Sequence, residues 1–205
     1  MIHILPTKVL SFRGLAVLFV ICLACASRAQ ALSTKDAQVF AVFDQFNAQD
    51  IESASLAVTR GTSDPVRAVG HMIVMDHVPL LDEVRAMARQ QGVGYSVNNN
   101  NERARTHRQL MMSLMENTGI DFDRMYLKHE LSFSKDFIKT VKDRLIPEAQ
   151  NPELKNYLAK TLTRFEVHLS HIEHATATLS DNSGMKHEHT HNHDHQPLKY
   201  PAPTN

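Results

Sequence analysis

Cysteine is almost absent from this chain of 205 residues, and its two copies, Cys22 and Cys25, lie near the N-terminus. The long remainder therefore has neither a disulfide nor a cysteine nucleophile. It also lacks the Gly-x-Ser-x-Gly turn of serine hydrolases and the glycine-lysine loop that binds nucleotide phosphates. The sequence thus indicates no nucleophile and no nucleotide site of these kinds.

An excess of positive charge is lacking as well. The chain has 22 basic and 22 acidic residues, and Lys8, Arg13 and Arg28 all precede the first acidic residue. The part after residue 31 therefore has three more acidic than basic residues. Because binding to DNA or RNA depends on a basic surface, we expect no nucleic-acid partner.

The longest apolar run spans residues 15–26, about a dozen residues, whereas a membrane helix needs roughly 20. Lys8 and Arg13 precede this run, and an Ala-Gln-Ala triplet that ends at residue 31 follows it. This order is typical of a cleavable signal peptide, which we predict over residues 1–31. We therefore expect a protein of the periplasm or the outer membrane, without a membrane span after cleavage.

Two alternatives to a cleaved signal peptide stay open. One is an uncleaved N-terminal anchor, and the other is lipid attachment at Cys25, although the leucine usual three residues upstream is missing there. In either case the residues after position 31 are numerous enough for one domain with its own core.

Helical spacing dominates these residues, and the alternation typical of β-strands is almost absent. Three apolar seams with steps of three and four residues predict three long helices. The seams are Val66, Gly70, Ile73, His77, Leu80, Val84, Met87; then Leu127, Leu131, Ser134, Ile138, Val141, Leu145; then Leu154, Leu158, Thr161, Phe165, His168, Ile172, Ala175, Leu179. A further long helix is predicted over 35–60, and a short one over 103–117.

Four long helices with short connections, one of them longer, predict an all-α four-helix bundle over 32–180. The segment 181–205 is a different kind of sequence, rich in histidine and proline, and we predict a disordered tail. Its imidazoles alternate along the chain at His187, His189, His191, His193 and His195. Such a tract can bind zinc, nickel or copper in several registers.

Two further histidines, His77 and His168, lie on the apolar seams of two separate helices. Both imidazoles should therefore point into the packed interior, where each needs a hydrogen-bond partner or a metal ion. Two interpretations stay open. The pair is either a structural polar layer that determines helix register or part of a site for a divalent transition metal.

An ordered set of short segments resembles a known family. The segments are Glu52 with Ala57, Met72 to Asp76-His77, Phe122-Asp123 to Tyr126, His129-Glu130, Leu145-Ile146-Pro147, Ala149-Gln150-Asn151, Glu153-Leu154-Lys155, and His168-Leu169 with His171. In this order they are similar to the exported bacterial family catalogued as domain of unknown function 4142, over residues 36–177. The resemblance implies a ferritin-like four-helix bundle and a location in the envelope, but no established reaction.

A metal site in such a bundle would take one group from each long helix, with a further histidine at its edge. The candidates are Glu52, His77, Glu130, His168 and, at the edge, His171. Asp76 is expected to support a ligand or to lie on the surface. Where many family members have a histidine, four residues after the third helix's glutamate, this chain has Ser134. The long helices contain no Glu-x-x-His motif, so a ferritin-type di-iron centre is not expected.

The leading hypothesis is an exported envelope protein that binds a divalent ion of zinc, nickel, copper or iron as a buffer or sensor. One alternative is a metal-dependent oxidoreductase, or a peroxide-consuming enzyme, with its centre in the bundle core. Another is a non-catalytic stress or interaction protein of the envelope. No catalytic residue is assigned.

Overall fold

The structure, a computed structural model, describes the backbone of residues 12–188 and the side chains of residues 34–180. Its helices are α1 (Phe12–Arg60), α2 (Asp64–Gln90), α3 (Glu102–Glu116), α4 (Gly119–Thr140), α5 (Ile146–Glu148) and α6 (Pro152–Glu188), with a π-helical turn, Val141–Leu145, between α4 and α5. This described part of the chain contains no strand, so the all-α prediction is confirmed. None of its helices combines the length and the apolarity that crossing a bilayer demands.

Both predicted terminal segments lie partly inside these helices. The backbone of α1 includes residues 12–31 of the predicted signal peptide, and that of α6 includes residues 181–188 of the predicted tail. Residues 1–11 and 189–205 lie outside the described residues.

The four long helices α1, α2, α4 and α6 form the bundle. A three-residue turn joins α1 to α2, and the π-helical turn with α5 joins α4 to α6, so each pair runs antiparallel. The connection from α2 to α4 is longer and contains α3, which packs against α1 and α4. The predicted four-helix bundle with a short helix in its crossover is therefore confirmed.

Close packing and one buried carboxylate hold the α1–α2 turn. A side-chain carbon added at Gly70 would lie 2.8 Å from the backbone oxygen of Ala54, so only glycine lets the two helices approach this closely. The fully buried Asp123 of α4 accepts hydrogen bonds from the backbone N–H groups of Thr62 (2.9 Å) and Ser63 (2.8 Å). These bonds satisfy amides that the helix ends leave unpaired.

The apolar core consists of two clusters, one toward each end of the bundle. The first cluster is rich in aromatic rings and includes Phe40, Phe43, Phe46, Phe133, Phe137 and Phe165. The second cluster includes Ala54, Ala57, Ile73, Phe122, Tyr126 and Ile172. On each long helix the buried positions between the two clusters are polar, so the core has a polar middle.

The apolar seams agree with the observed interior faces on α2 and α6, but less closely on α4. All eight seam residues of α6 are buried, and on α2 only Met87 is not fully buried. On α4, Leu131 and Ile138 are only partly buried, whereas Phe137 is buried. Phe137 stacks on Phe46 with ring centroids 4.4 Å apart, and this aromatic contact turns the interior face of α4 away from the predicted seam.

Candidate functional site

A buried polar layer separates the two apolar clusters. It consists of Asp50 and Ser53 on α1, His77 on α2, Glu130 on α4 and His168 on α6. Each of these residues is at most 4% exposed. Every long helix of the bundle thus contributes at least one polar side chain at the same level.

Hydrogen bonds order the two imidazoles of the polar layer. His168 Nε2 lies 2.7 Å from the carboxylate oxygen Oδ2 of Asp76, which can only accept, so Nε2 carries the proton. In the neutral ring His168 Nδ1 is then an acceptor, and His77 Nε2 donates to it over 3.2 Å. His77 Nδ1 is left with a free lone pair, 3.3 Å from Asp50 Oδ2.

The two carboxyl groups of the layer form a pair that ionises with difficulty. Burial raises the pKa of Asp50 from 3.8 to about 7, and a hydrogen bond with Glu130 opposes this increase. Burial and the neighbouring Asp50 charge raise the pKa of Glu130 well above its usual value. Ser53 Oγ donates to Glu130 Oε1 over 3.0 Å. These surroundings favour protonation of the pair, and above about pH 7 the two carboxyl groups would share the remaining proton.

Burial also keeps the imidazoles neutral. It lowers the pKa of His77 from 6.5 to about 3, with the nearby His168 and Arg164 acting in the same direction. Burial likewise lowers the pKa of His168, although Asp76 opposes the effect. Neutral imidazole is the form that ligates metal ions.

Several buried atoms of this region form no hydrogen bond of good geometry. They are Asp50 Oδ1, His77 Nδ1, Glu130 Oε2 and the hydroxyl oxygen of Tyr126. A proton between the carboxyl groups would satisfy two of these atoms. The unpaired His77 Nδ1 and Tyr126 hydroxyl would remain, although buried polar atoms in folded proteins are nearly always paired.

The structure brings three of the sequence-derived bundle candidates together and places two elsewhere. His77, Glu130 and His168 share the polar layer, whereas Glu52 is 60% exposed and lies 2.8 Å from His107 Nε2 of α3. Because each residue turns an α-helix by about 100°, Glu52 points about 160° away from Asp50, which takes the interior position instead.

His171 lies on the exposed side of α6, three residues after His168. It lines a cavity of about 480 Å³ between α2 and α6, together with His174 and Met72. His171 therefore faces a different surface from the polar layer. The tail candidates His189, His191, His193 and His195 lie outside the described residues, and the side chain of His187 is not described either.

The position of Asp50 on the interior face of α1 follows from a pattern in the sequence of that helix. Phe43, Phe46, Asp50, Ser53 and Ala57 follow steps of three and four residues, and all five are buried. This spacing identifies Asp50, and not Glu52, as the acidic residue on the interior face.

The fold and the site together define a class of protein, namely a four-helix bundle whose core is divided by a buried layer of carboxyl and imidazole groups. Residues 23–175 match the model of the family described as Domain of unknown function (DUF4142), and the chain belongs to this family. A comparison with curated proteins found no match. A comparison with solved structures also found no match.

Proposed function

We propose that this chain is an exported envelope protein that binds one divalent transition-metal ion in its polar layer, as a buffer or a sensor. The observation that carries the proposal is His77 Nδ1, a buried nitrogen that forms no hydrogen bond and lies 3.3 Å from Asp50 Oδ2, whose carboxyl group pairs with that of Glu130. Export is inferred from the signal-peptide pattern of residues 1–31.

The donor atoms and their spacing suit such an ion. One neutral imidazole nitrogen and two carboxylates are ligands for zinc, iron, nickel or copper. His77 Nδ1 and Asp50 Oδ2 are 3.3 Å apart. Two ligands at about 2.1 Å from a tetrahedral ion are themselves about 3.4 Å apart. In this arrangement His77, Asp50 and Glu130 are the ligands.

His168 and Asp76 would position the imidazole ligand. His168 Nε2 donates its proton to Asp76, so His168 Nδ1 can only accept. His77 therefore donates to it through Nε2, and the Nδ1 atom of His77 keeps its lone pair. Outer partners of this kind determine the tautomer of a ligating histidine and increase its basicity. His168 itself has both nitrogens occupied and is a supporting residue, not a ligand.

Binding would require the carboxyl groups to rearrange. In the part of the chain that the structure describes, no group of three or more His, Cys, Asp or Glu side chains is already arranged to hold a metal ion. An ion would have to displace the proton shared by Asp50 and Glu130. Since burial raises the pKa of Asp50 to about 7 and that of Glu130 well above its usual value, affinity should increase with pH through this range, and binding should release protons.

Metal titration of a full chain with alanine at His187, His189, His191, His193 and His195 tests the interior site without the tail. We expect one Co²⁺ or Zn²⁺ per chain, with visible ligand-field bands for Co²⁺. Asp50→Asn or His77→Ala should lower the affinity by at least about tenfold. Glu52→Gln is the matched control on the same helix, and it should leave the affinity unchanged because Glu52 points away from the layer.

Two results would overturn the proposal. One is that the tail-substituted chain holds no ion at micromolar free metal. The other is equal weakening by Glu52→Gln and Asp50→Asn, which would place the metal elsewhere. Comparison with the unsubstituted chain measures additional, looser binding by the tail, which we also propose from its alternating imidazoles.

A further inference from the structure

A cavity of about 600 Å³ opens between α1, α3 and α4, on one side of the polar layer. The residues that line it include Gln49, Arg103, His107, Leu110, His129 and Phe133. Gln49 and His129 are the direct chain neighbours of Asp50 and Glu130. The cavity therefore reaches the two helices that carry the buried carboxyl pair.

One side chain of the cavity lining, His129, lies close to the carboxyl pair. His129 lines the cavity and is 20% exposed, and its Nε2 lies 3.9 Å from the fully buried Glu130 Oε1. His129 Nε2 has no hydrogen-bond partner. The ring of His129 packs against the ring of Phe133, and the two ring centroids are 5.3 Å apart. Rotation of this imidazole would break no hydrogen bond at Nε2.

The opposite side of the polar layer is more tightly closed. There His168 covers His77, and both nitrogens of His168 are hydrogen-bonded, to His77 over 3.2 Å and to Asp76 over 2.7 Å. A solute that passed on this side would have to break two buried or half-buried hydrogen bonds. Breaking either hydrogen bond without replacing it would leave a polar group unpaired, which costs free energy.

Charge at the mouth of the cavity does not repel a cation. The guanidinium group of Arg103 lies 2.9 Å from Asp136 Oδ2 and 3.5 Å above the ring centroid of Phe46. The positive charge of Arg103 is thus paired with a carboxylate and makes a cation–π contact with the ring of Phe46. Glu102, also at the mouth, adds an exposed acidic side chain.

We infer that ions and small solutes reach the Asp50–Glu130 pair through this cavity, and that His129 is the gating side chain. The inference rests on the proposed function for the identity of the ion, but the route itself follows from the packing. It predicts that changes at His129 or at the cavity mouth alter rates of access and leave the ligands of the site intact.

The rate of Co²⁺ association in the full chain with the five tail substitutions tests the route by stopped-flow absorbance. His129→Ala should increase the rate about tenfold, which corresponds to a barrier about 1.4 kcal/mol lower. Thr106→Trp, which places a large ring at the mouth, should decrease the rate at unchanged equilibrium affinity. Val167→Trp is the matched control, since Val167 is 51% exposed and adjoins His168 on the opposite side.

A second measurement needs no metal. A hydrophobic carbodiimide adds to protonated carboxyl groups, and its labelling of Glu130 can be followed by peptide mass spectrometry. We expect faster labelling in His129→Ala, slower labelling in Thr106→Trp and an unchanged rate in Val167→Trp. Slowing by Val167→Trp alone would overturn the route. Absence of Co²⁺ binding together with the expected labelling pattern would refute the metal proposal and support the route.

Discussion

The buried carboxyl group of Asp50 should make the stability of this protein depend on pH, and Asp50→Asn isolates that dependence. The amide has the same shape, cannot ionise and can donate a hydrogen bond to the free Nδ1 of His77, 3.3 Å from the present carboxyl oxygen. The variant therefore removes the titration without opening a cavity. Glu130 and Tyr126 face the same position and stay in place.

The direction in which stability changes with pH follows from the raised pKa of Asp50. Burial raises the pKa of Asp50 from 3.8 to about 7 in the folded protein, so the folded state binds the proton more tightly than the unfolded state. This contribution to stability is fully present below pH 3.8 and is lost as the pH increases to about 7. Three pKa units correspond to about 4 kcal/mol. In the variant, burial still raises the pKa of Glu130, while the part due to the Asp50 charge is lost. We therefore expect Asp50→Asn to increase the free energy of unfolding by about 2–4 kcal/mol at pH 8.

Urea unfolding of both proteins between pH 4 and pH 8, with a chelator present, measures the difference. His77 contributes in the opposite direction, because its lowered pKa of about 3 removes stability as the pH falls below 6.5. Both proteins bury His77, so the part of this contribution that comes from burial cancels in the difference. The stability advantage of Asp50→Asn should be near zero at pH 4 and should increase up to about pH 7. A difference that is constant with pH would refute the reasoning, and Glu52→Gln serves as the control.

Three further predictions concern packing and the metal site. Asp123→Ala leaves two backbone N–H groups of the α1–α2 turn without their acceptor and should cost about 2–4 kcal/mol in urea unfolding; a loss below 1 kcal/mol would contradict this role. Gly70→Ala should lower the melting temperature at a cost of about 1–3 kcal/mol, because the added carbon would lie 2.8 Å from the oxygen of Ala54. Ser134→His, one turn after Glu130, should strengthen Co²⁺ binding about 10–100-fold in the tail-substituted chain. A lower melting temperature with unchanged metal affinity would count against a metal in the layer.

The helices and their order were predictable because they depend on local information. Steps of three and four between apolar residues identify a buried helical face whatever the partner is. Gly61, Gly92 and Gly119 mark the breaks, and at Gly92 the backbone takes a φ of +66°, which glycine adopts without strain. Short connections within each helix pair and one long connection between the pairs then leave few arrangements other than the observed bundle.

The candidate site was predictable only in part. His77 and His168 could be assigned to the interior because they lie on apolar seams, and both are buried. Glu52 was proposed as the contribution of the first long helix without an apolar seam to support an interior position, and the structure places it on the surface. The alternating pattern through Phe43 and Phe46 would have selected Asp50.

What the sequence determined by itself is therefore most of the buried side chains of α2 and α6, since helical periodicity assigns each residue to a face. Which buried groups meet was decided only by the tertiary structure. His77 and His168 are 91 residues apart in the chain, and Ser53 and Glu130 are 77 residues apart. Contacts over such separations depend on how four helices rotate and slide against one another. The raised pKa of Asp50 and the lowered pKa of His77 have the same origin, because only the assembled bundle removes water from these groups.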